Sequence, residues 1–107
     1  MAREADTKGY IKLHRKAQQT EVFKNAYAWQ LFTYCLFNAK FSGDEAGTFI
    51  TTKKEIAEAL GIGRPALDKF MKFLKENKCI DYKIKKGSNR GTEIKIINYK
   101  KYQGDQM

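Results

Sequence analysis

Residues 50–77 read ITTKKEIAEALGIGRPALDKFMKFLKEN. The stretch predicts two short helices joined by a tight glycine-bearing turn, the pattern of a helix-turn-helix. Thr52 stands three residues before Glu55. At that spacing a hydroxyl and a carboxylate can each cap the other's backbone N–H, which marks a helix start. Ile56, Ala57 and Leu60 then recur at helical spacing and give one apolar face. Gly61 ends the helix, because glycine tolerates the left-handed conformation just past a last turn. The second helix is expected to begin near Arg64. Pro65 suits its first position, and a residue before proline avoids the helical region, so Arg64 is assigned as the cap. Leu67, Phe70, Met71 and Leu74 form its buried stripe, while Arg64, Pro65, Asp68, Lys69 and Lys72 fall on the other side, free to meet a partner.

Downstream of this stretch the apolar period changes to two. Ile80, Tyr82 and Ile84 share one face, and Asp81, Lys83 and Lys85 the other. Residues 86–91, KGSNRG, form a turn with two basic side chains, after which Ile94 and Ile96 alternate with Glu93 and Lys95. Two alternating runs around a glycine-bearing loop predict a β-hairpin. A helix-turn-helix followed at once by a hairpin with a basic tip is a winged helix. Tyr99 and Tyr102 in the tail can fold back on the body.

Upstream, residues 48–51 form a brief strand and residues 41–47, FSGDEAG, a loop. Residues 26–41, AYAWQLFTYCLFNAKF, predict a helix. One face carries Ala28, Leu31, Phe32, Cys35 and Ala39; a second carries Tyr27, Tyr34, Phe37 and Phe41, with Trp29 and Leu36 between. Apolar residues nearly all round mean that more than one side is covered. Two readings stay open. The helix is sandwiched between an N-terminal strand and the helix-turn-helix, or part of its aromatic surface, with Tyr10, Tyr27, Tyr34, Phe37 and Phe41 as candidates, is a self-association interface. Residues 17–25 predict one short helix anchored by Val22 and Phe23. Residues 9–16 alternate and predict a short edge strand, with Tyr10, Lys12 and His14 facing one way and Ile11, Leu13 and Arg15 the other. Residues 1–8 and 104–107 read as mobile ends.

With 107 residues, the whole chain reads as a single domain with no linker or repeat. The fold class is α+β: a winged helix-turn-helix with a small helical core, a C-terminal hairpin wing and a short N-terminal strand. Six Tyr, seven Phe and one Trp within a 42% apolar composition supply material for a core. The net charge is +9 and the isoelectric point near 9.6. The surplus is uneven: residues 1–46 hold seven Lys and Arg against five Asp and Glu, residues 47–107 fourteen against seven. The basic half is the half with the helix-turn-helix, which favours a polyanionic partner, nucleic acid before membrane. Cys35 and Cys79 have no second cysteine or histidine at metal spacing, so a reducing cytoplasm is expected and a disulfide scaffold is not. No apolar run reaches the length of a membrane span, and residues 1–9 carry no apolar run of a signal peptide.

The chemistry suits duplex DNA. A helix fits the major groove, where base edges present a distinguishable pattern. Arg64 is the best candidate for a base contact, because its planar fork can pair with two acceptors of guanine. Asp68 is repelled by phosphate, so it either accepts from cytosine or orients a neighbouring basic side chain. Lys53 and Lys54 open the first helix as candidate phosphate contacts. Lys85, Lys86, Asn89 and Arg90 sit at the wing, placed to reach the backbone or an adjacent minor groove. An enzyme is not expected. His14 is the sole histidine, and no acid–base pair, metal set or nucleophile–base set is visible. Gly61-Ile62-Gly63 is not a phosphate loop, since the lysine and hydroxyl of that motif do not follow. No cofactor is expected.

The runs GYIKLHRK at 9–16, VFKNAYAWQLFTYCLFNAKF at 22–41, TTKKEIAEALGI at 51–62 and GTEIKIINYKKYQ at 91–103 together resemble one family. It is the N-terminal winged-helix domain of phage replisome organisers, the DnaD-like replication initiation proteins of Gram-positive phages and mobile elements. The resemblance covers residues 9–103 and rests on the order of the pieces and the closing NYKKYQ rather than on one diagnostic motif. It implies binding to a replication origin, help in recruiting a helicase or its loader, and self-association through the N-terminal part; a dimer and a nucleoid-associated place in the bacterial cytoplasm are expected alongside. The sequence departs from the family in two ways. It has no second domain, so the chain is a domain fragment or a small stand-alone protein. Its recognition helix opens GIGRPAL, where the family more often has serine near the cap, which leaves the DNA sequence open. Two other functions use the same scaffold: a small transcriptional regulator, and a winged helix that binds protein.

Overall fold

A computed structural model describes residues 11–40, 44–84 and 91–102. In chain order its elements are a 3-10 helix at Arg15–Gln19, α1 (Glu21–Lys24), α2 (Ala26–Asn38), β1 (Thr48–Thr51), α3 (Lys53–Leu60), α4 (Arg64–Glu76), β2 (Ile80–Ile84), β3 (Thr92–Ile96) and a 3-10 turn at Tyr99–Tyr102. The arrangement is a mixed α+β, winged-helix-like fold. The expected mobile ends, residues 1–8 and 104–107, lie outside the described residues.

The central segment folds where its punctuation falls. The Thr52 hydroxyl accepts from Glu55 N–H at 3.1 Å, and the Glu55 carboxylate accepts from Thr52 N–H at 3.2 Å. Glu55 also accepts from the buried Thr51 hydroxyl at 2.9 Å, so one carboxylate ties the end of β1 to the start of α3. Gly61 closes α3 in the left-handed region, φ +71°. Arg64 is not the cap of α4. Gly63, extended at φ −80° and ψ 165°, caps the helix, and Arg64 is its first residue. Pro65 is then the second helical residue, where its missing N–H costs no intrahelical bond and its ring meets no preceding turn.

The three strands form one antiparallel sheet in the order β1-β3-β2. Phe49, Ile94 and Tyr82 lie abreast across it, as do Ile50, Glu93 and Lys83. The first row turns inward with Ile80 and Ile96, and the helices cover it. Ala28, Leu31, Phe32, Cys35 and Leu36 of α2, Ile56, Ala57 and Leu60 of α3, and Leu67, Met71 and Leu74 of α4 complete the core. Leu31, Leu36, Leu67 and Leu74 are fully out of water. Each contributes roughly 2 kcal/mol, against about 1 kcal/mol for a helix cap. Packing therefore holds the fold, and the caps decide where elements start.

Three upstream expectations are corrected. No edge strand forms over the described part of residues 9–16. Ile11 makes a single bridge, and Lys12 N–H donates to Tyr102 O at 2.7 Å, in the C-terminal 3-10 turn rather than at the sheet. The outer edge of β1 is partly occupied, because Lys40 N–H donates to Thr48 O. Residues 17–25 are not one helix. Thr20 breaks them by accepting from Phe23 N–H at 3.1 Å, and Asn25 breaks them again by accepting from Ala28 N–H at 3.1 Å. Each side chain caps the segment that follows it, which needs an extended backbone at the cap itself. Within this part Val22 is buried, but Phe23 is largely exposed and meets the edge of Trp29. Finally, α2 stops at Asn38, with Ala39 extended, so Ala39 does not continue it, and residue 41 lies outside the described residues. Leu36, between the two expected faces, is buried. Among the described residues the helix is covered by α1, α4 and β3.

Candidate nucleic-acid interface

The turn between α3 and α4 is fixed from both sides. Gly61 N–H and Ile62 N–H both donate to Ala57 O, at 2.8 and 3.1 Å. Leu67, Met71 and Leu74 anchor α4 by one side, which leaves Arg64, Pro65, Asp68, Lys69 and Lys72 exposed on the other. Arg64, Asp68 and Lys72 follow one another at four-residue intervals, so they form a line along the helix. No side chain caps α4 and no acid stands in its first turn. The partial positive charge of its amino-terminal end is therefore met by no group of its own first turn. Beside it lies a shallow depression lined by Lys54, Ala57, Glu58, Gly61, Ile62, Gly63 and Arg64.

The basic side chains are not equivalent. Among the described residues none forms an ion pair with Lys54, Arg64 or Lys72. Lys69 Nζ sits 5.9 Å from the centre of the Phe70 ring. Lys53 is different. Its Nζ lies 2.8 Å from Asp68 Oδ1, and its side chain is only 21% exposed. Of the two roles foreseen for Asp68, engagement of a neighbouring cation is thus visible in the structure. Lys53 is committed to that carboxylate rather than standing free at the helix start.

β2 and β3 pair as the two strands on which the wing was expected. There Lys83 pairs with Glu93 at 3.7 Å, and Ile84 is exposed. Lys85, Lys86, Asn89 and Arg90, the expected wing tip, lie outside the described residues. Sequence reasoning missed the tie between α4 and the wing. Lys75 Nζ lies 3.4 Å from Asp81 and 5.0 Å from the centre of the Tyr82 ring. The signal was a basic residue in the last turn of a helix that runs directly into a strand, but its partner follows no helical interval.

The candidate self-association residues separate. Tyr27 packs on Phe70 at 5.6 Å between ring centres and remains 51% exposed, and Tyr34 meets Phe49 at 6.4 Å. Phe37 is 69% exposed. Tyr10 and Phe41 lie outside the described residues. Elsewhere, burial pushes the Cys35 thiol up to about 12, while Cys79 is half-buried. Among the described residues no group of three His, Cys, Asp or Glu could hold a metal ion, and no helix is long and apolar enough to cross a membrane.

No family model matches the chain. It is similar to Protein RepS of Streptococcus pyogenes, at 56% identity over 45 residues, which are 42% of this chain and 9% of RepS. It is also similar to Protein RepR of Streptococcus agalactiae, at 54% identity over 47 residues, 44% of this chain and 10% of RepR. The chain thus spans about a tenth of the length of these curated relatives.

Proposed function

We propose that the chain binds double-stranded DNA through α4 and the hairpin, and that it does so in starting replication at the origin of a phage or other mobile element. One observation carries the first half. Lys54, Arg64 and Lys72 stand exposed, without charged partners among the described residues, on one side of the helix-turn-helix of a +9 protein. A helix of this kind fits the major groove with its first residues toward the base edges. Arg64 is in that position, with a fork that matches two acceptors of guanine. Lys54 and Lys72 reach for phosphates, and the uncapped end of α4 favours the same charge. The similarity to two streptococcal proteins named Rep supports the replication half, and so does the resemblance to DnaD-like replisome organisers. In this reading two copies associate through α2, whose sequence AYAWQLFTYCLFN has no charged residue, and a helicase or its loader is recruited afterwards.

Binding of a random-sequence duplex, followed by fluorescence anisotropy between about 50 and about 200 mM salt, tests the first half. Affinity should fall with a slope of about −0.9 for each phosphate neutralised. No binding at low salt, or binding indifferent to salt, overturns it. Footprinting on the neighbouring genome tests the second half. Protection of repeats at a replication locus is expected, and protection confined to a promoter overturns the replication role in favour of transcriptional control.

A further inference from the structure

Resting on the DNA-binding reading, we infer that Asp68, with Lys53 as its fixed counter-ion, determines sequence specificity by limiting affinity for random DNA. The line Arg64, Asp68, Lys72 on α4 is basic, acidic, basic. A third cation in the middle would make it a plain phosphate-binding stripe, indifferent to sequence. A carboxylate there repels phosphate. It lowers affinity for every duplex unless the base edge beneath offers an amino group, the N4 of cytosine or the N6 of adenine.

The geometry explains how the acid is tolerated and kept in place. Lys53 Nζ approaches Oδ1 at 2.8 Å from the first residue of α3. Its side chain is 21% exposed while that of Asp68 is 53% exposed, so the lysine is the more covered partner and the aspartate the more open one. The amino terminus of α3 is itself fixed by the Thr52–Glu55 box. The lysine is therefore held between two anchored helices, and the pair removes one positive charge from the phosphate-binding set.

Two variants separate this role from a structural one. Asp68→Asn keeps the shape and one acceptor, removes the negative charge and releases Lys53. Affinity for a random-sequence duplex should rise severalfold. Its salt slope should steepen by about 0.9, one more phosphate contact. The preference for a duplex enriched by the wild-type protein from a randomised pool should shrink by about fivefold or more, the discrimination usual for one base pair. Lys53→Gln should do the reverse: affinity falls on all duplexes, with the salt slope unchanged, because Lys53 touches no phosphate in the native protein. Unchanged slope and unchanged preference in Asp68→Asn overturn the inference. So does a slope flattened by about 0.9 in Lys53→Gln, which makes the lysine an ordinary phosphate contact. Wild-type protein that binds no duplex at low salt overturns the DNA reading, and this inference with it; the two failures are told apart by the wild-type curve alone.

Discussion

Arg64 and Lys72 lie on the same exposed line of α4, two turns apart, and groove geometry asks different work of them. Arg64 is the first residue of α4 and Lys72 sits farther along; in the proposed DNA complex the first would face base edges and the second the backbone. Arg64→Ala should therefore cost about 1–3 kcal/mol on a selected duplex and much less on random DNA. Lys72→Ala should weaken both alike and flatten the salt slope by about 0.9. Titrations on the two duplexes check this, and equal losses for Arg64→Ala would remove its reading role. A second residue acts on stability rather than binding. Burial raises the Cys35 thiol from its usual 9.0 to about 12. Below pH 9 the thiol is neutral folded and unfolded, and its contribution is fully present. Between 9 and 12 the unfolded chain has released that proton and the folded chain has not, so stability falls as pH rises. The slope from this thiol is up to about 1.4 kcal/mol per pH unit. Burial also raises Tyr99 and Tyr102, which act in the same direction. Urea unfolding at pH 8 and pH 10.5 should show the loss, and Cys35→Ala should remove the thiol's share of it; an identical slope in that variant would place the effect elsewhere.

At the scale of elements, two glycines in the left-handed region make contrasting demands. Gly61, φ +71°, has nothing within 4 Å of the position a Cβ would take. Gly91, φ +73°, would bring a Cβ to 2.4 Å from Thr51 O, across the pairing of β1 with β3. Gly61→Ala should cost about 1 kcal/mol, the backbone term alone. Gly91→Ala should cost more than about 3 kcal/mol, because a strand has to move. Chemical denaturation of the two variants measures the difference, and equal losses would mean that β1 yields easily. Gly61 was legible in the sequence, since it closes a periodic helix, and so were the capping box, the two strands of the hairpin and the buried stripe of α4. All of these are local patterns. What sequence missed is non-local or breaks a propensity rule. The N-terminal segment pairs with a carbonyl of the last 3-10 turn. Lys78 takes the left-handed conformation after α4, at φ +61°, where glycine would have announced the stop. The choice of Lys53 as the cation that Asp68 engages, and the Lys75–Asp81 bridge, join helix to helix and helix to strand at separations that no period predicts.

On the scale of the molecule, charge decides which surface a second copy can approach. A +9 protein repels its own kind, and close approach is least costly where both surfaces are neutral. The helix α2 supplies such a surface: it has no charged residue, and Phe37 and Tyr27 stand 69% and 51% exposed along it. Phe37 contributes little to the core at that exposure, so changing it should leave the melting temperature within a few degrees. Phe37→Lys places one more like charge on each copy at the proposed contact. Sedimentation should then show the wild-type protein as a dimer and the variant as a monomer. DNA binding supplies an independent readout. A dimer engages two half-sites about one helical turn apart, and the second engagement is effectively intramolecular. Phe37→Lys should therefore lose affinity about 100-fold on a duplex with two half-sites, yet keep wild-type affinity on a duplex with one. A variant that stays dimeric would move the contact away from α2. A wild-type protein that is monomeric both free and on DNA would remove self-association from the mechanism and leave each winged helix to read its site alone.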